Sequence, residues 1–324
     1  MILAGDIGGT KTRLALFERG ADPREPLREQ RFASREHASL EDILRAFLAD
    51  SGERPTRAAF GVAGAVVGQQ VATTNLPWHV AGQSVSQALG GAEVVLLNDL
   101  EATAWGLQHL GPHDFETLQE GTEVPGNRAL IAAGTGLGEA LILRDGSRWR
   151  PIASEGGHSD FATRDPLEDE LLAWLRARHG RVSWERVLSG PGLANLYRFF
   201  TDTGRGDEPP AFAQRFAAAA DPAAEVTAAA LAGSCDRARL VLERFCAIYG
   251  AEAGNLALHS LATGGVYVGG GIAPRILPFM RAGGFLASFS QKGRLSPLLA
   301  TIPVRVVLDD RTALWGAAAV AAGA

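Results

Sequence analysis

Two glycine-rich turns of one unusual type recur in this chain. The first, Gly5-Asp6-Ile7-Gly8-Gly9-Thr10, lies between apolar Ile2-Leu3-Ala4 and apolar Leu14-Ala15-Leu16-Phe17. Read as strand, turn, strand, it sets backbone N–H groups, a hydroxyl and one carboxylate at a hairpin tip. Such a tip can surround phosphate oxygens and hold Mg²⁺ through water, with Asp6 as the metal-facing group. Gly5 to Thr12 approaches the P-loop pattern, but Thr10 stands where that pattern needs glycine, and no helix follows. The second turn, Gly134-Thr135-Gly136, sits between Ala129-Leu130-Ile131-Ala132-Ala133 and Leu137-Gly138-Glu139-Ala140-Leu141-Ile142-Leu143. Glu139, and the strand that follows it, exclude a Rossmann fingerprint. One such turn is an ordinary hairpin; two of the same type point to similar halves facing one nucleotide. Gly269-Gly270-Gly271 is a third close-approach backbone, and also reads as a tight strand-to-helix turn.

The polar candidates suit hydroxyl chemistry. Asn98-Asp99 ends an apolar strand, where ligands of α/β sheets gather. Asp99 can accept the proton of an alcohol attacking a phosphoryl group; the same dipeptide reads as a helix cap, and the two roles are compatible. In Ser154-Glu155-Gly156-Gly157-His158, the glycines let backbone come close to a ligand while Glu155 and His158 reach adjacent hydroxyls. A solvated loop is the plain alternative, and one Glu with one His makes a poor zinc site. Glu185, in Trp184-Glu185-Arg186-Val187-Leu188-Ser189-Gly190, is a third acid in apolar company and, taken alone, reads as a salt-bridge partner before a ligand. Together Asn98, Asp99, Glu155, His158 and Glu185 fit a neutral sugar better than an anion, which the acids would repel.

These residues need a sheet to hold them. At 324 residues the chain suggests two domains. A net charge of −5 argues against a nucleic-acid surface. Two cysteines, Cys235 and Cys246, are too few for a disulfide scaffold and read as buried reduced thiols, consistent with cytoplasm. There is no signal-peptide pattern, and residues 253–274, though uncharged, are too interrupted to read as a membrane span. Residues 18–38 read as a surface connection with one strand, 39–51 as a helix capped by Ser39, and 57–63 and 93–97 as strands. Residues 111–128 read as an inter-domain crossing. Asp165-Pro166 with Glu168 starts a helix that ends at Gly180. Residues 210–233 read as helical, 236–262 as a long helix, 266–268 and 304–307 as strands, and a last helix begins near Thr312. Pro274 falls in the first turn of a helix.

The order of Gly5-Asp6-Ile7-Gly8-Gly9-Thr10, Leu97-Asn98-Asp99, Ala133-Gly134-Thr135-Gly136-Leu137-Gly138, Ser154-Glu155-Gly156-Gly157-His158, Trp184-Glu185-Arg186-Val187-Leu188-Ser189-Gly190 and Gly269-Gly270-Gly271-Ile272 resembles that of bacterial glucokinases, over nearly the whole chain. The resemblance implies an α/β, two-domain actin-like ATPase (ribonuclease-H-like) fold. Residues 1–110 plus 301–324 would form a small α/β domain and 111–300 a larger α+β domain, with a cleft between them. It implies Mg²⁺- and ATP-dependent phosphorylation of the glucose 6-hydroxyl, with Asp99 as catalytic base. Asn98, Asp99, Glu155, His158 and Glu185 would hold glucose. Gly5, Asp6, Ile7, Gly8, Gly9, Thr10, Gly134, Thr135, Gly136, Gly269, Gly270 and Gly271 would contact ATP, and Asp6 would orient the metal. It further implies a cytoplasmic homodimer of the zinc-free branch, lacking the Cys cluster of the repressor/open-reading-frame/kinase sugar kinases. Lys11, Ala65 and Glu139 depart from the family pattern, which has Asn, Pro and a small apolar residue there. Another hexose, a polyphosphate or ADP donor, and a non-enzymatic sugar sensor are the rival readings; no DNA-binding element precedes the first strand.

Overall fold

The computed structural model describes residues 1–49, 52–73, 76–122 and 124–323. The chain divides into two compact units. One comprises Met1–Asp114, Arg150–Ala153 and Asp309–Ala324, the other Phe115–Trp149 and Ser154–Leu308.

The first unit contains β1 (Ile2–Ile7), β2 (Lys11–Phe17), β3 (Arg28–Ala33), β4 (Arg57–Val62), a small β5–β6 hairpin (Gln70–Ala72, His79–Ala81) and β7 (Glu93–Asn98). Its main sheet runs β3-β2-β1-β4-β7, with β1 antiparallel to β2 and parallel to β4, and β4 parallel to β7. Residues 18–38 carry β3 and a 3-10 turn at Ser34–Glu36. The sheet is covered on both faces because successive residues of β1, which point to opposite faces, are apolar. Leu3 and Ile7 join the core of α1 (Leu40–Leu48), while Ile2 and Ala4 pack with Leu314 and Trp315 of the C-terminal helix (Thr312–Ala322). Ser39 caps α1, accepting from the Asp42 amide at 3.2 Å. After α2 (Gly82–Ala88) comes α3 (Asp99–Gly106), which begins directly at the end of β7.

The C-terminal helix fixes α3 backbone against backbone. A Cβ on Gly106 would collide with the Thr312 carbonyl, and one on Gly316 with the Ala102 carbonyl. Gly316→Val is therefore expected to lower unfolding stability by about 1–3 kcal/mol through overpacking. Urea titration reads this directly, and an unchanged midpoint would contradict the contact.

The second unit repeats the sheet plan. Its sheet comprises β8 (Phe115–Gln119), β9 (Arg128–Ala133), β10 (Leu137–Asp145), β11 (Arg148–Ser154, of which Arg150–Ala153 group with the first unit), β12 (Val266–Gly269) and β13 (Val304–Val307), in the order β11-β10-β9-β12-β13-β8. As in the first sheet, an antiparallel hairpin (β9–β10) lies beside strands parallel to its first member (β12, β13). The stretch read as a crossing thus contains a strand, β8, which pairs with β13 at the sheet edge. Helices follow: α4 (Pro166–His179), α5 (Gly190–Asp202), α6 (Pro210–Ala218), α7 (Pro222–Leu231), α8 (Asp236–Ser260), α9 (Leu277–Arg281), α10 (Gly284–Ser290) and α11 (Ser296–Leu299). The stretch 210–233, read as helical, holds two helices, because Asp221 caps a new start at Pro222 by accepting from Ala224 N at 3.1 Å. Pro274 lies in a 3-10 turn, Ala273–Ile276, that leads into α9. Both cysteines are free and buried. No helix among the described residues is long and apolar enough to cross a membrane.

Candidate active site

In the first unit, register brings the chemistry to one sheet end. Ile7, Val62 and Asn98 pair in line across β1, β4 and β7, one residue beyond Asp6, Gly61 and Leu97. Gly61 permits this closeness: a Cβ there would lie 2.7 Å from the Ala102 Cβ and 3.7 Å from the Asp99 Cα. Asn98 is buried and caps α3, its Oδ1 accepting from Leu100 N at 2.9 Å and Glu101 N at 3.3 Å. Its Nδ2 donates to the Gly64 carbonyl at 3.1 Å, so the cap also pins the loop after β4. Asp99, half-buried at the first helical position, accepts from Leu100 N at 2.9 Å.

The first hairpin tip is braced by a residue that the sequence gives no reason to single out. Ser34 is fully buried; its Oγ donates to the Gly8 carbonyl at 2.8 Å and its N–H to the Thr10 carbonyl at 3.1 Å. Asp6 lies opposite Arg13 in the hairpin. Asp6 keeps some solvent access, yet protein crowds its carboxyl, and lost hydration pushes it up to about 6; Arg13 opposes that rise and Asp310 adds to it. Arg13 is itself spent on Asp310, at 2.9 and 3.3 Å, and on Glu29 at 3.5 Å. Asp6 is thus an under-compensated carboxylate at the hairpin tip.

In the second unit the polar cluster is built onto the second hairpin. Glu185 Oε2 accepts from Leu137 N at 3.0 Å, directly after the Gly134–Gly136 turn. A Cβ on Gly136 would strike that same oxygen, and a Cβ on Gly157 would strike the Leu137 carbonyl. His158 lies 3.9 Å from Glu185 and 3.8 Å from Glu155, and all three side chains retain solvent access. Glu185 rides on a 3-10 turn anchored by buried Trp184, whose ring meets Phe161 edge-on at 5.0 Å. Ser189 closes the segment: its Oγ donates to the Glu185 carbonyl at 2.7 Å and accepts from Gly192 N at 3.0 Å to cap α5.

The nucleotide candidates of this unit meet at Ala133. Gly190 N donates to Gly134 O at 2.8 Å, and Ile272 N to Ala133 O at 3.3 Å. Gly270 has φ +82°, and a Cβ there would collide with Ala133 O. Gly134 and Gly271 differ: nothing lies within 4 Å of an added Cβ and neither φ is positive, so packing and backbone conformation do not demand glycine. Close approach of a ligand would. Buried Tyr249 of α8 ties the two turns together, accepting from Ala133 N at 3.0 Å near the Ile131 and Gly269 carbonyls. Sequence reasoning missed Tyr249 because an aromatic in an apolar helix reads as core. The predicted residues therefore fall into two groups, Asp6 to Thr10 with Asn98 and Asp99 on one unit, and Gly134 to Gly136, Glu155, His158, Glu185 and Gly269 to Gly271 on the other.

A family model described as glucokinase matches residues 3–324. A glucokinase of Nostoc sp. (strain PCC 7120) is 40% identical over 338 residues, covering 99% of each chain. The crystal structure of a glucokinase from an Antarctic psychrotroph superposes with a TM-score of 0.83 at 33% identity, over 100% of this chain and 99% of the other. A ROK family glucokinase from Streptomyces griseus, solved with glucose and AMPPNP, has a TM-score of 0.66 at 23% identity, covers 98% of each chain and shares the fold. With its paired hairpin sheets in the actin-like ATPase arrangement and a family match along almost its whole length, the chain belongs to the glucokinase family and is an ATP:hexose phosphotransferase.

Proposed function

We propose that the chain transfers the γ-phosphoryl group of ATP to the 6-hydroxyl of glucose, with Asp99 as general base. The observation that carries this reading is the Glu155–His158–Glu185 cluster standing on the Gly134–Gly136 turn. A sugar-type hydrogen-bonding set and a phosphate-type turn are joined there by the Leu137 N to Glu185 bond. Glucose hydroxyls are assigned to Asn98, Asp99, Glu155, His158 and Glu185; carboxylates and imidazole accept from and donate to hydroxyls, and the acids disfavour anionic competitors. The ATP phosphates are assigned to the N–H groups of Gly5 to Thr10 and Gly134 to Gly136, and to Gly269 to Gly271. Asp99 takes the 6-hydroxyl proton as the oxygen attacks phosphorus in line, a contribution mainly of orientation and late proton acceptance.

Asp6 fits Mg²⁺: it is an oxygen donor whose charge lacks full compensation in the protein, and Mg²⁺ sites use one or two carboxylates beside substrate phosphates and water. When bound, the ion neutralises phosphate charge. Asp6→Asn is expected to raise the Mg²⁺ concentration for half-maximal rate at least about tenfold, as the site has few protein ligands. The metal-free variant should be no less stable than the parent above about pH 6, because a carboxyl whose folded pKa is raised loses stability as pH climbs through that value. Mg²⁺ titration and thermal melting check the two halves, and a destabilised metal-free variant would contradict the second.

The reading places the enzyme in the cytoplasm, at the entry of glucose into glycolysis, as a homodimer. Light scattering tests the dimer. A panel of sugars and donors tests the chemistry. Glucose with ATP should give the highest kcat/KM; faster turnover with polyphosphate or ADP, or with another hexose, would replace the donor or the acceptor. Sugar binding without turnover would favour a sensor.

A further inference from the structure

Glu139 has no place in the chemistry above, yet it is 3% exposed and lies beneath the sugar loop. Its Oε2 occupies the space a Cβ on Gly156 would need, with Ser154 Oγ beside it. Its Oε1 is buried without a hydrogen-bond partner among the described residues. The carboxyl that acts on Glu139 is Glu252 of α8, also 3% exposed. Two neighbouring carboxyls so deeply buried repel each other when both are charged, which favours keeping one proton on the pair.

Charge balance in the surroundings points the same way. Glu252 accepts from Asn255 Nδ2 at 2.8 Å. Lys292 Nζ donates to Asn255 Oδ1 at 2.5 Å and to the Ala251 carbonyl at 2.9 Å, and its charge attracts Glu252. Arg164, which repels Lys292, is held with Arg244 by Glu168 and Asp165, a balanced set of two and two. Tyr249 also faces Glu139, and burial raises it, so it stays neutral. Two acids and one ammonium remain. That cluster is neutral when the pair holds one proton and carries a buried net negative charge when it holds none, which is costly.

We propose that Glu139 and Glu252 form a buried acid pair, sharing one proton, that positions the Glu155–His158 loop and thereby sets affinity for the sugar. The inference rests on the assignment of Glu155 and His158 to glucose. Burial is the largest cause pushing both carboxyls upward, and the charge of Glu139 adds to the rise at Glu252. The protonated pair therefore persists well above the ordinary carboxylate range and is lost as pH rises, the two groups titrating as a unit. Loss of the proton sets two anions against each other directly under Gly156, which has no side chain to absorb a shift. Glu155 and His158, on either side of the glycines, move with it.

The test is the glucose KM of the whole enzyme between about pH 6 and about pH 9, with ATP saturating, for the parent and for Glu139→Gln. The amide keeps the shape and donates to Glu252 at every pH. In the parent, glucose KM should rise by about tenfold across that range, at one proton per site, while kcat and the ATP KM change far less. In Glu139→Gln that rise should vanish. The difference between the two profiles, rather than either alone, reports the pair. Glu252→Gln should flatten the profile as Glu139→Gln does. Thermal melting identifies any variant that fails to fold, in which case the parent's own profile decides, and a flat one overturns the proposal. Coincident pH profiles for parent and folded variant, with glucose-dependent turnover intact, would overturn the positioning role and leave the kinase reading standing. Absence of glucose-dependent turnover in the parent would overturn the kinase reading itself.

Discussion

Asp99→Asn is expected to lower kcat by about 10²–10⁴-fold and to move the glucose KM only a few-fold, the signature of a lost general base. The local geometry makes the substitution clean. The Asp99 carboxyl accepts from Leu100 N at 2.9 Å, a bond the asparagine carbonyl oxygen can keep. The Asp99 carbonyl accepts from Thr103 Oγ1 at 2.9 Å, which the side-chain change does not touch. Exchanging a charge for an amide at a helix N-terminus costs about 0.3–1 kcal/mol, so the protein stays folded. Asn98→Ala is the instructive contrast. It removes the cap of α3 and the tie to Gly64, so it should cost stability by about 1 kcal/mol as well as sugar affinity. Steady-state kinetics with a parallel melting curve separates the two residues. Near-normal turnover in Asp99→Asn would remove it as the base.

Glu185→Ala is expected to have the second large effect, falling on both substrates. The carboxylate is assigned to a sugar hydroxyl and also accepts from Leu137 N, so its loss unties the second phosphate turn. A hydrogen bond to a charged group contributes about 1.5–3 kcal/mol, which raises the glucose KM by roughly 10- to 150-fold. The ATP KM should rise too, by a smaller factor, because an orphaned N–H beside Gly136 loosens the turn. Glu185→Gln separates the roles: the amide oxygen can still accept from Leu137 N, so ATP affinity recovers while the glucose defect largely persists. Equal glucose and ATP defects in both variants would mean that the residue supports structure alone.

How much of this was legible in the sequence depends on where the physics is local. The Gly8–Thr10 and Gly134–Gly136 hairpins are written in short alternations of apolar residues and glycine. The Asp165 cap, confirmed by its bond from Glu168 N at 2.9 Å, is written in a handful of adjacent residues. Glu155, His158 and Glu185 came from the order of motifs rather than from any one of them. The Asp221-Pro222 start of α7 was also written locally, but the alanine-rich periodicity around it hid the break. Contacts made by distant segments left no such mark. Ser34 braces Gly8 from 26 residues away, and Arg13 meets Asp310 from 297 residues away. Glu252 and Tyr249 lie in one long, largely buried helix, where nothing in the sequence tells a positioning residue from filler. Glu139 was visible as a departure from pattern, but its reason appeared only with Gly156 above it and Glu252 beside it.

The most direct measurement is the initial rate of ADP formation from Mg-ATP, with glucose and without sugar, for the parent and Asp99→Asn side by side. A glucose-dependent rate is expected in the parent, matched one for one by glucose 6-phosphate, and falling at least about a hundredfold in the variant. No glucose-dependent ADP from the parent, or a variant as fast as the parent, would contradict that expectation.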